Sequence, residues 1–214
     1  MSTVNAAPTA TPTTTRTWRR AAYRWWRHWL RRLGLRRLPD SIVALDLETS
    51  SLDVASANIL SIAAVRIRHG KVQIGEALEL LVAADERDVE AGIHIHRLRP
   101  SELRQGLPLS EALQQLQAFV GNAAILGYCI RFDLGVLNRH LQAHNLPPLS
   151  NRRLELSYAY QRRWLRYHPG TPPDLRFEAM AERLSVPILH RHTALGDATT
   201  TALMWLALQA GKKP

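Results

Sequence analysis

Asp46, Leu47 and Glu48 place two carboxylates two residues apart at the end of a short apolar run, Ile42–Leu47. In an extended strand, residues two apart project to the same face, so both acids point the same way. Held that close at the end of a buried strand, they repel each other, and a divalent cation relieves the repulsion. A ligand set made only of oxygens suits Mg²⁺ or Mn²⁺ rather than Zn²⁺. A solvated strand end running into a turn at Thr49-Ser50-Ser51 accounts for the same residues without an ion.

Two further segments carry chemistry of the same kind. In Gly127-Tyr128-Cys129-Ile130-Arg131-Phe132-Asp133, the aspartate falls at the expected start of a helix, where an N-cap role also explains it. In His192-Thr193-Ala194-Leu195-Gly196-Asp197, the aspartate sits in the first turns of the last expected helix, where the helix dipole favours a carboxylate. His192 lies in the loop just before it, beside His190 and Arg191, and by itself reads as a surface residue.

Together the three segments are more specific than any one of them. In content, order and spacing the chain resembles the DnaQ-like exonucleases of the DEDDh type, which have a ribonuclease H-like fold. Their Asp-x-Glu-Thr on the first strand is matched by Asp46-Leu47-Glu48-Thr49. Their Phe-Asp after a strand and a glycine is matched by Phe132-Asp133, and their His-x4-Asp entering the final helix by His192 and Asp197. Ile95-His96-Arg97-Leu98, with Pro100 and Leu103, resembles the family's Ile-His-Gly-Ile segment. The resemblance spans residues 41–210 and is nearest to the proofreading subunits of bacterial replicative polymerases. Three departures stand out. Gly127-Tyr128-Cys129 replaces the usual Gly-His-Asn, Arg97 replaces a glycine, and Glu155 stands where relatives often have Asp-Thr.

The resemblance implies hydrolysis of phosphodiesters at a free 3′ end, releasing nucleoside 5′-monophosphates with two Mg²⁺ or Mn²⁺ ions. It implies Asp46, Glu48, Asp133 and Asp197 as metal ligands and His192 as general base, an imidazole being a competent proton acceptor near neutral pH. Thr49, His96 and Phe132 are the implied contacts to the terminal nucleotide. Single-stranded DNA or a frayed 3′ end is the expected substrate, and a DNA polymerase subunit a possible partner. The alternatives are a catalytically silent ribonuclease H-like module that only binds nucleic acid, and an oligoribonuclease-type RNA exonuclease. All five catalytic residue types are present, which favours the enzyme. The chain has no glycine-rich loop of the Walker or Rossmann kind.

The elements that must position these residues read as α/β. Ile42–Leu47, Ile59–Arg68 and Val72–Val82 are expected strands, the last two joined by a turn at His69-Gly70-Lys71, giving a three-strand antiparallel meander. Ser110 is expected to cap a helix over Glu111–Val120, followed by a buried strand at Ala123–Leu126. Helices are expected over Asp133–His144, Leu154–Trp164, Arg176–Leu184 and Ala194–Ala210. The sum is a ribonuclease H-like mixed sheet, a meander plus parallel strands, flanked by helices.

Charge separates this body from what precedes it. Of 28 lysines and arginines, nine are arginines within residues 1–39, where no acid occurs; the remaining 19 face all 18 acids. Residues 1–15 are rich in Thr, Ala and Pro and are expected to be disordered. Residues 16–39 form a basic leader in which Trp18, Ala22, Trp25, Trp29 and Leu33 fall on one helical face. Nucleic acid, an anionic membrane surface and a partner protein are its expected ligands, and a transit peptide is a further reading. Residues 40–210 are the expected exonuclease domain and 211–214 a tail. A lone cysteine, Cys129, excludes an internal disulfide and points to a reducing, cytoplasmic setting.

Overall fold

The computed structural model describes residues 41–84 and 99–211. The expectations for residues 1–15, for the basic leader, and for His96 and Arg97 lie outside the described residues.

Five strands form one sheet: β1 Ile42–Thr49, β2 Ile59–Arg68, β3 Lys71–Leu81, β4 Ala124–Gly127 and β5 Arg153–Glu155. Their order is β3-β2-β1-β4-β5, so β1 is central. It pairs antiparallel with β2, which pairs antiparallel with β3; β1–β4 and β4–β5 are parallel. The helices are α1 Pro100–Leu103, α2 Leu109–Val120, α3 Ile130–Ala143, α4 Leu156–Tyr167, α5 Phe177–Arg183 and α6 Ala194–Gln209. The expected α/β mixed sheet with helices on its faces is therefore the observed architecture.

The central strand explains where the acids emerge. Val43, Leu45 and Leu47 enter one core with Leu113 and Leu116 of α2 and Val136 and Leu137 of α3. Ile42 and Ala44 enter the other, with Leu156 and Tyr160 of α4, Met180 of α5 and Trp205 of α6. By period two, Asp46 and Glu48 share the face of Ile42 and Ala44, the one the last three helices cover. Each fully buried Leu or Ile on these faces contributes on the order of 2 kcal/mol. β1 pairs with β4 only through Ile42–Ala44, so its last residues run past the end of β4. The acids sit on that overhang, at the carboxyl end of the parallel strands, where α/β sheets open their ligand crevices.

Three expectations are corrected. Helix α3 begins at Ile130 with Cys129 as its N-cap, so Asp133 lies in the first turn rather than at the cap. Leu154 belongs to β5, and α4 starts only at Leu156; a three-residue strand running straight into a helix leaves no pattern of its own. Helix α2 is entered through Pro108, with no side-chain cap, and Ser110 lies inside it.

Candidate metal centre and active site

Helix α6 brings the third acid to the sheet. Its first turns are built from small residues, and Gly196, Ala198, Thr199, Thr200, Thr201 and Ala202 are all buried, which lets the helix lie close on the strands. Asp197 thereby meets the acid face of β1. Oxygens of Asp46, Glu48 and Asp197 lie within 4.8 Å of one another. Glu48 and Asp197 are 8% and 6% exposed, and Asp46 is half-buried.

The loop before α6 is knitted to that helix. The Thr193 hydroxyl donates to the His190 carbonyl at 2.8 Å and accepts the Gly196 N–H at 3.1 Å. The Thr200 hydroxyl accepts the Leu189 N–H at 3.0 Å and donates to the Gly196 carbonyl at 2.8 Å. A β-carbon at Gly196 would lie 2.2 Å from the Leu189 carbonyl oxygen, so only glycine admits the loop this close. His190 and His192 both hold left-handed backbone (φ 41° and 65°), a cost tolerated where the surroundings enforce it. The His192 main-chain N–H lies close enough to favour the ionised Asp197 carboxyl, which puts His192 beside the acids.

Asp133 arrives from the other side. Its own N–H and that of Leu47, the residue between Asp46 and Glu48, lie close enough to favour its ionised form. The strand overhang makes this possible, because β4 has ended and its place beside Leu47 is open. Asp133 is 5% exposed and acts electrostatically on Asp46, but it stands outside the three-acid set. Helix α3 is itself anchored by Glu155, whose carboxylate accepts the N–H groups of Cys129 at 3.1 Å and Ile130 at 3.0 Å.

The electrostatics are those of crowded acids. Burial, then Asp133, Asp197 and Glu48, hold the Asp46 carboxyl well above the usual range. Burial, with Asp197 adding, pushes Glu48 up to about 7. Burial pushes Asp133 to about 7 as well, against the two N–H groups that favour its ionised form. Asp197 is raised by burial and opposed by Arg191. One oxygen of Asp197, Oδ1, is buried with no hydrogen-bond partner among the described residues. Like-charged carboxylates around an orphaned oxygen fit a hard divalent cation.

Of the expected nucleotide contacts, Thr49 donates its hydroxyl to the Ser51 carbonyl at 2.8 Å, and Phe132 is partly buried against the core on the α2–α3 side. Two participants escaped the sequence reading. Arg191 pairs with both Asp197 and Glu178, and its guanidinium lies 4.6 Å over the Phe177 ring. Its only signal in the sequence is its place beside His192; Glu178 gives none.

The geometry has counterparts among known proteins. The exonuclease family model RNase_T matches residues 43–204. The "DNA polymerase III PolC-type" proteins of Halalkalibacterium halodurans and Lacticaseibacillus paracasei are 24% and 25% identical over 172 and 170 residues. Each alignment covers 78% of this chain but only 11% of the relative, so the chain spans about a tenth of the length of the curated relatives it matches. Among solved structures, E. coli exonuclease I in complex with a dT13 oligonucleotide superposes with a TM-score of 0.68 at 21% identity, over 82% of this chain and 42% of that one. A moderately thermophilic exonuclease I from Methylocaldum szegediense gives 0.66 at 25% identity, over 80% and 41%.

Proposed function

The chain belongs to the exonuclease family RNase_T, and we propose that it hydrolyses DNA from a free 3′ end, releasing nucleoside 5′-monophosphates. The observation that carries this reading is the meeting of Asp46, Glu48 and Asp197 within 4.8 Å at the carboxyl end of the sheet, with Asp133 beside Leu47. When bound, a pair of Mg²⁺ or Mn²⁺ ions supplies an acidified water and charge stabilisation for the leaving 3′ oxygen. Asp46, Glu48 and Asp197 would hold one ion; Asp46 and, largely through water, Asp133 would hold the other.

His192 is the general base. Its main chain lies beside the Asp197 carboxyl, the residue is partly exposed, and it stands outside the three-acid set. The ring takes the proton of the attacking water, which the carboxylates cannot do while they hold metal. Tyr128 and Cys129, which replace the family's usual His-Asn, lie where the next strand ends: the Tyr128 hydroxyl donates to the Leu175 carbonyl at 3.1 Å, and Cys129 caps α3. Both departures leave the carboxylate set intact.

The deoxynucleotide complex of exonuclease I and the DNA polymerase relatives support DNA as substrate and a polymerase as a possible partner. Residues 16–39 are proposed to hold the strand by phosphate contacts and tryptophan stacking. No helix among the described residues is long and apolar enough to cross a membrane; a cytoplasmic setting is proposed on the lone cysteine. The test is a single-stranded DNA labelled at either end, incubated with Mg²⁺ or with EDTA. Immediate release of the 3′ label as mononucleotide, only with Mg²⁺, is expected. Release from the 5′ end first, or equal release in EDTA, refutes the reading.

A further inference from the structure

Arg191 occupies an unusual position for a cation in an acid-rich site. Its Nε donates to Glu178 Oε1 at 2.7 Å, while a terminal nitrogen of the same guanidinium donates to Asp197 Oδ2. Glu178 is outside the candidate ligand set and more than half exposed; Asp197 is inside it and buried. Phe177 and Glu178 both stand in the first turn of α5, and the guanidinium packs over the Phe177 ring. One arginine is thus anchored to a helix at the rim and reaches inward to a metal ligand.

The arrangement answers a physical difficulty. Several buried carboxylates cannot all be charged without a neighbouring cation, and a guanidinium fork serves two acids at once where an ammonium would act as a point charge. A divalent ion on Asp197 has the same requirement for that carboxylate and repels the guanidinium. The orphaned Oδ1 leaves room for an ion beside the guanidinium on Oδ2, so the two cations compete for the charge of Asp197 rather than for one oxygen. Glu178 and Phe177 lie outside the ligand set, so their hold on Arg191 survives the loss of Asp197.

We propose that Arg191 is an exchangeable counter-cation of this site: it holds Asp197 until a divalent ion takes that carboxylate, and then, kept at the rim by Glu178 and Phe177, turns its freed N–H groups to a phosphate of the substrate strand. This inference rests on the metal-dependent reading given above. It makes Arg191 a substrate-binding residue whose availability is coupled to metal loading. An enzyme lacking its ions then also lacks a phosphate ligand, so the strand is gripped firmly only where it can be cut.

The test is calorimetric titration of Mn²⁺ into the full chain and into R191Q, E178Q and the double variant, each checked for folding by circular dichroism. R191Q is expected to bind Mn²⁺ about tenfold more tightly, the equivalent of one charge-assisted hydrogen bond no longer to be displaced. E178Q, which removes the charge that competes with Asp197 for the guanidinium, is expected to weaken Mn²⁺ binding in the Arg191 background by more than in the R191Q background. At saturating Mn²⁺, R191Q is expected to raise KM for single-stranded DNA by more than it lowers kcat. Equal or weaker Mn²⁺ binding by R191Q, or an E178Q effect identical in both backgrounds, overturns the exchange. Absence of Mn²⁺ binding by the unaltered chain overturns the metal-dependent reading itself, a result distinct from either of these.

Discussion

The Glu155 carboxylate accepts the Ile130 N–H at 3.0 Å and so ties the start of α3 to the end of β5. The same side chain accepts the Cys129 N–H at 3.1 Å and the Ser157 N–H at 3.2 Å, capping α3 and α4 together. Asp133 stands one turn into α3, so its place beside Leu47 is inherited from this clamp. Glu155→Ala is expected to cost about 2 kcal/mol for the two caps, lowering the melting temperature by roughly 4–8 °C. It should also reduce kcat/KM. Glu155→Gln, which keeps an acceptor oxygen, is expected to recover part of both. Thermal melts beside initial rates check this; an unchanged rate in a destabilised Glu155→Ala protein separates the clamp from Asp133.

His192→Ala is expected to lower kcat by roughly 10²–10⁴-fold, the range for loss of a positioned general base. Mn²⁺ affinity should be nearly unchanged, because the contact His192 makes with Asp197 is through its main chain. The acid limb of the pH–rate profile should change with it. A variant with the original profile removes His192 from the role of base.

In EDTA, the acid cluster should make the fold lose stability as pH rises. Burial raises Glu48 from its ordinary 4.5 to about 7, so between those values the native state retains a proton that the unfolded chain releases. Stability then falls with rising pH across that window and levels off above it. Glu48→Gln lacks this loss. The variant should therefore melt higher than the unaltered chain by a margin that grows from pH 5 to pH 7.5, reaching on the order of 5 °C. Taking the difference between two proteins cancels the opposing contribution of His140, whose burial favours its neutral form in both. A margin that stays constant with pH contradicts the assignment.

Gly196→Ala should be severe for so small a change. The added methyl would meet the Leu189 and His190 carbonyl oxygens at 2.2 and 2.4 Å, and backbone rather than a flexible side chain must yield. The expected result is a loss of about 1–3 kcal/mol, typical of overpacking, with a fall in rate as His192 moves off Asp197. Melts and kcat of this variant beside Ala198→Gly, which removes a buried methyl two residues further along α6, measure it.

These residues also show what a sequence can and cannot convey. Asp46 and Glu48 were legible because period two on an apolar strand fixes their common face, and that face is the one α6 covers. Asp197 and His192 were legible because a helix start has a local pattern. The exact start of α3 was not, since Cys129 enters it with left-handed backbone, unusual outside glycine and asparagine. β5 went unseen because three residues at a sheet edge carry no periodicity before α4 begins. Arg191 and Glu178 were illegible as a pair: they are thirteen residues apart on separate elements, and only tertiary packing joins them.

The proposed activity depends on divalent ions held by the converging acids, and the most direct measurement is Mn²⁺ binding, by titration calorimetry, to the unaltered chain and to Asp46→Asn. The unaltered chain should bind Mn²⁺ and digest single-stranded DNA from its 3′ end. Asp46→Asn should remain folded, bind Mn²⁺ far more weakly, and lose roughly 10³-fold or more in rate, the scale of several kcal/mol of metal-borne stabilisation. A folded Asp46→Asn protein that binds Mn²⁺ and digests DNA like the unaltered chain would contradict it.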